Sequence, residues 1–141
     1  MTRVLVACLL IFGGAGAAHA QQCLHGADET AEQAARRKDA LFATRTINNI
    51  QANRPEAGRG QYLAHSELAS APFAQQARAR GDKTFLRLSL DPAADILPQW
   101  KLTLTAAPGG YWFMVRDTSD PCGFAYISTQ AGLIFKAEPI R

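Results

Sequence analysis

At 141 residues the chain has room for one domain with a real core and little room for a second. With 48% apolar and 19% charged residues it falls among soluble globular chains, which excludes a disordered one. The formal net charge of +3 is scattered apart from Arg36-Arg37-Lys38 and residues 78–83, with acids close to both groups, so it does not call for nucleic acid.

Residues 1–20 read as a cleaved export signal. Arg3 supplies a basic start, residues 4–12 an apolar run, and Ala18-His19-Ala20 a small-x-small cleavage site. The run is shorter than the roughly twenty residues of a membrane span. Cleavage after Ala20 leaves residues 21–141 as a single domain, periplasmic or secreted, with no stable membrane span. Leu5-Val6-Ala7-Cys8 has a lipobox-like order, but the apolar run continues past Cys8, which reads as a small hydrophobe within the signal. Cys23 and Cys122 remain, and an oxidising compartment favours their pairing over two free thiols. A bridge closing a loop of about a hundred residues is worth ~4–5 kcal/mol on the chain-entropy model. A metal site is a poorer reading, because Cys23, His25 and the distant Cys122 lack ligand-cluster spacing.

In the mature chain, an extended lead-in carrying Cys23 comes first. Asp28 is the expected N-cap of a long helix over about 29–53, with Glu29 and Glu32 in its first turn. Ala40, Ala43, Ile47 and Ile50 recur at helical spacing and form a stripe that can pack on a sheet. Arg36, Arg37 and Arg45 read as a solvated face. Asn53-Arg54-Pro55 ends the helix. After a loop with Gly58 and Gly60 comes Gln61-Tyr62-Leu63, then a weakly patterned helix over 67–80. Ser66 is its possible cap, and Pro72 breaks it or splits it into two short turns. Beyond Gly81 the period turns to two. Leu86, Leu88 and Leu90 alternate with Phe85, Arg87 and Ser89 as a half-buried strand, and residues 100–106 form the clearest strand. Pro108-Gly109-Gly110 turns the chain into a partner strand over 111–116, with Tyr111, Phe113 and Val115 on one face and Trp112 and Met114 on the other. A strand starting at Cys122, a reversal at 128–132 and a last strand over 133–135 complete the chain. Helices first and strands after predict an α+β fold: a long N-terminal helix packed on a four- to five-stranded antiparallel sheet.

This order of elements resembles the soluble headgroup of a type IV pilin or pseudopilin. The helix with Ala40, Ala43 and Ile47 is similar to the amphipathic half of a pilin helix. Gly60-Gln61-Tyr62 with Leu68 resembles the loop after it, and residues 100–116 the central hairpin. Asp120-Pro121-Cys122-Gly123, Ile127 and Ala131-Gly132 resemble the C-terminal D-x-C-G strand and glycine turn. The chain departs from the family at its start. The leader ends in Ala18-His19-Ala20, and Gln21-Gln22-Cys23 follow where a pilin has a glycine-ended leader and an apolar helix start with an acidic fifth residue. The resemblance implies a pilin-like fold that cannot build the standard filament core.

Catalytic signatures are weak. His25 and His65 read as solvated loop residues, and Ser66 and Glu67 beside His65 do not make a triad by adjacency. Asp117 and Asp120 read as turn chemistry and not as a calcium loop. Gly109-Gly110 precedes no helix, so no phosphate loop is present. Trp100, Tyr111, Trp112, Phe113, Phe124 and Tyr126 read mainly as core. A Trp112–Met114 face left exposed would instead mark a partner site, with Tyr62 a further binding candidate. The expectation is a non-enzymatic exported protein without cofactor or metal that binds or assembles with a protein partner of the cell envelope. The alternative is a small ligand-binding or inhibitor-like module.

Overall fold

A computed structural model describes residues 23–54 and 60–138. The expected leader with Cys8, residues 21 and 22, Pro55, Gly58, Pro139 and Arg141 lie outside the described residues. Helix α1 spans Ala31–Ala52. Its cap is Thr30 and not Asp28: Thr30 Oγ1 accepts from the Gln33 N–H at 3.2 Å, and Gln33 Oε1 accepts from the Thr30 N–H at 2.7 Å. This reciprocal box satisfies two of the donors that a helix start leaves without partners, which a lone aspartate two residues earlier does not. Ala40, Ala43, Ile47 and Ile50 are fully buried, as the stripe predicts. At the far end the Asn53 N–H and amide both donate to the Asn49 carbonyl and close the helix.

The middle of the chain is held by short elements. Buried Gln51 receives the Leu63 N–H at 2.9 Å and donates to the Leu63 carbonyl at 2.8 Å, so one side-chain amide pairs the returning extended segment as backbone would. A 3-10 helix, His65–Ser70, is followed by α2, Pro72–Ala79, with Pro72 at its first turn. The proline starts this second helix, where a missing N–H costs nothing. The strand expected over 85–90 is not formed. Asp82 accepts from the N–H groups of Thr84 and Phe85 and caps the short α3, Lys83–Leu86, turning Phe85 inward and leaving Leu86 exposed. Leu88 and Leu90 are still buried, so the apolar alternation marks core contacts of an irregular segment.

Strands β1 (Trp100–Ala107), β2 (Gly110–Asp117), β3 (Ala125–Thr129) and β4 (Ile134–Ala137) form a four-stranded antiparallel meander in sequence order. The third strand starts three residues later than expected, because Asp120 holds 122–124 in a turn. Trp100 enters β1 from a tight turn over 97–100 in which Gln99 takes φ 67°, and Thr118 donates its N–H and hydroxyl to the Gln99 carbonyl. Strand alternation places Trp100, Leu102, Phe113, Val115, Tyr126 and Ser128 on the face that α1 covers. There they meet Ile47, Leu68, Ala74 and Phe85 in one core.

Candidate functional site

The sheet has one covered face and one bare one. On the bare face Met114 of β2 stands opposite Ile127 of β3, and Ile127 opposite Phe135 of β4, so three apolar side chains line up across three strands. Trp112 lies one pleat along β2, between Thr105 and Thr129. Trp112 is 43% exposed and Phe135 55%, with Leu133 beside them at 61%. Met114 and Ile127 are half-buried, and none of Trp112, Met114, Ile127 and Phe135 is packed against the core cluster. Trp112 therefore faces away from the core, unlike Trp100, Tyr111, Phe113, Phe124 and Tyr126, which are all buried. At one end of the face Lys101 and Arg116 stand directly opposite each other, both exposed. By strand alternation β1–β4 place no acidic side chain on this face, since Asp117 points into the core.

Tyr62 is placed elsewhere. Its ring packs on Tyr111 with centroids 4.9 Å apart, and the Arg54 guanidinium lies 4.2 Å over it. It sits on the helix side of the sheet, away from Trp112 and Met114. With Asn48, Arg54, Tyr111 and Gln130 it lines an open cleft of about 480 Å³. Much of that polarity is already used. Asn48 receives Tyr111 O–H at 2.9 Å and donates to Ser128 Oγ at 2.9 Å, tying α1 to the sheet.

The residues before α1 form a buried polar knot that overturns the expected solvated histidine. His25 is buried between the rings of Trp100 and Phe124. Its Nδ1 lies 2.8 Å from Glu29 Oε1 and its Nε2 2.9 Å from Asp117 Oδ2. Carboxylates only accept, so with both ionised each contact is a hydrogen bond only when each ring nitrogen carries a proton. Arg37 grips Glu29 through two parallel contacts of 2.8 Å, and Arg36 reaches Asp117 and Ser119 at 3.4 and 3.2 Å. These arginines are thus half-buried partners and not a solvated face. The Arg37 guanidinium, helped by His25, holds the Glu29 carboxyl below its ordinary value against the effect of burial. Burial pushes the Asp117 carboxyl up, but hydrogen bonds from Ser119 and His25 and the Arg36 charge outweigh it, leaving it lowered.

Asp120 shows the expected turn chemistry and more. Its carboxylate accepts the N–H groups of Cys122 and Phe124, and also that of Leu24, 96 residues earlier. Cys23 and Cys122 are bonded beside it, with Cα atoms 5.3 Å apart. His65, at the start of the 3-10 helix, is held toward its neutral form by burial, with Asp91 pulling the other way. No nucleophile is hydrogen-bonded to either histidine among the described residues. Neither is any group of three or more His, Cys, Asp or Glu there placed to hold a metal ion. In the knot the two carboxylates contact different nitrogens of the one imidazole.

Sequence reasoning missed two features, of which one was open to it. The Thr30-x-x-Gln33 box is a local signature. The His25–Asp117 pair leaves no local trace, because it joins residues 92 positions apart. No protein-family profile, curated protein or solved structure matches this chain.

Proposed function

We propose that this chain is an exported, non-enzymatic protein that acts at the cell envelope by binding another protein through the bare face of its sheet. One observation carries the reading. Trp112, Met114, Ile127 and Phe135 form a continuous apolar row on the face turned away from the core, with both rings exposed. Large rings exposed in a contiguous patch lose favourable burial unless a partner covers them, and such patches mark interaction sites. The disulfide supports the exported part of the reading, since such bonds persist in oxidising compartments. Among the described residues no helix is long and apolar enough to cross a membrane. The pilin-headgroup-like part is supported by element order: a long helix across a meander, with the bridge at the corner before β3.

The test is site-specific photo-crosslinking in exporting cells. A benzoylphenylalanine at position 112 should give a discrete protein adduct, and one at position 75, exposed on α2, should not. Absence of an adduct at 112, or the same adducts from both positions, overturns the reading. A second reading, a small ligand-binding module, rests on the cleft lined by Asn48, Arg54, Tyr62, Tyr111 and Gln130. It is the weaker one, because Asn48, Gln51 and Tyr111 already bond to protein groups there.

A further inference from the structure

Resting on the docking reading above, we infer that the partner presents an amphipathic helix carrying carboxylates at one end of its apolar stripe. The charge pattern of the bare face points to this chemistry. Lys101 and Arg116 are directly opposed in register, and like charges placed so repel. Neither has an ion-pair partner among the described residues. By contrast, exposed Arg87 pairs with Asp39 at 2.7 Å and Lys136 with Glu138 at 2.6 Å. Exposed Lys38, Arg45, Arg80 and Lys83 also lack an ion pair among the described residues, but Lys101 and Arg116 are the pair of cations that the strand register places face to face, and they stand on the face that is also apolar. A partner with carboxylates at that end removes the repulsion and the unpaired charge together.

The shape favours a helix over a strand. Met114, Ile127 and Phe135 belong to three neighbouring strands. At about 4.8 Å per strand they span about 10 Å, close to the diameter of one helix with its side chains. Trp112 extends the strip along β2, in the direction a packed helix would follow. An added strand would pair with a sheet edge and leave this face bare. A helix laid here completes a second layer on the sheet, as α1 completes the first. Thr103, Thr105 and Thr129 stand on the same face and give the apolar strip a polar border.

The experiment uses the purified, disulfide-bonded protein and two synthetic helical peptides. Both carry the same leucine stripe, and one has glutamates and the other lysines at one end of it. Trp100 is buried, so a blue shift on titration reports Trp112. The Glu peptide should bind about tenfold tighter than the Lys peptide, with the gap narrowing at high salt. The double variant Lys101→Glu/Arg116→Glu should reverse the preference. Equal affinity for both peptides overturns the acidic partner while leaving the docking face intact. Unchanged binding by Trp112→Ala, read by the fluorescence anisotropy of a dye-labelled peptide because this variant lacks the reporting indole, overturns the docking face itself. A shift with anionic vesicles and with neither peptide assigns the face to a lipid surface, and no shift with any probe also overturns the inference.

Discussion

The Nε2 atom of His25 lies 2.9 Å from Oδ2 of Asp117, joining a residue ahead of the first helix to the last residue of β2. This contact, Leu24 to Asp120 and the Cys23–Cys122 bond fasten one short segment to the two ends of a single loop. The segment is therefore part of the core and not a tail.

Replacing His25 by alanine strips a partner from buried Asp117 and from half-buried Glu29 at once. Breaking a buried pair by removing one member costs about 3–5 kcal/mol. His25→Ala should lower stability by about 3 kcal/mol in urea unfolding at pH 7. A loss below ~1 kcal/mol would mean that Arg36, Arg37 and Ser119 satisfy the carboxylates without it.

Acid should act through the same knot. Glu29 and Asp117 both have lowered carboxyl values in the folded chain. Their contribution is complete above the unfolded carboxylate value of about 4 and is lost as pH falls through the lower folded values. The urea midpoint should therefore drop from pH 5 to pH 3. Asp117→Asn should be less stable than the parent at pH 7 and show a shallower acid slope. Parallel pH curves for the two proteins would remove Asp117 from this linkage.

The two halves of the aromatic run should separate in mutational cost. Phe113→Ala opens a cavity in the core and should cost about 3–5 kcal/mol. Trp112→Ala on the bare face should cost about 1 kcal/mol or less. Comparable losses from the two neighbours, measured by denaturant unfolding, would contradict the assignment of faces.

Reduction tests the bridge independently. Denatured, unreduced protein should show no labelled thiol at Cys23 or Cys122. The Cys23→Ser/Cys122→Ser variant should be about 2–5 kcal/mol less stable. Labelling at both positions without reductant would refute the bond in solution.

What was legible in the sequence follows the range of each interaction. The stripe Ala40, Ala43, Ile47 and Ile50 and the alternation over 100–116 are local repeats, so α1, β1 and β2 could be read before any contact was known. The face separation of Trp112 from Phe113 was equally legible. Which face lay bare was not, because that depends on where α1 docks. The stretch 85–90 misled because alternate leucines can also be buried by an irregular segment, and Asp82 supplied a helix cap instead of a strand start. Gln99 hid its turn, since a positive φ leads one to expect glycine. The knot was invisible for a different reason. His25, Glu29, Arg36, Arg37 and Asp117 are ordinary surface residue types whose meaning comes from meeting at one point.

The fastening of residue 23 to residue 122 also sets an order of events. A chain delivered from its N-terminus presents the anchored segment first and its anchor 99 residues later. At translation rates of about 5–20 residues per second, that wait lasts about 5–20 s. Throughout it the bond to Cys122 cannot yet form, and the face of α1 that will meet the sheet has no sheet to meet. Helix and cysteine must be kept from other partners until β2 and the corner after it have emerged, so this domain closes on a segment made well before its anchor.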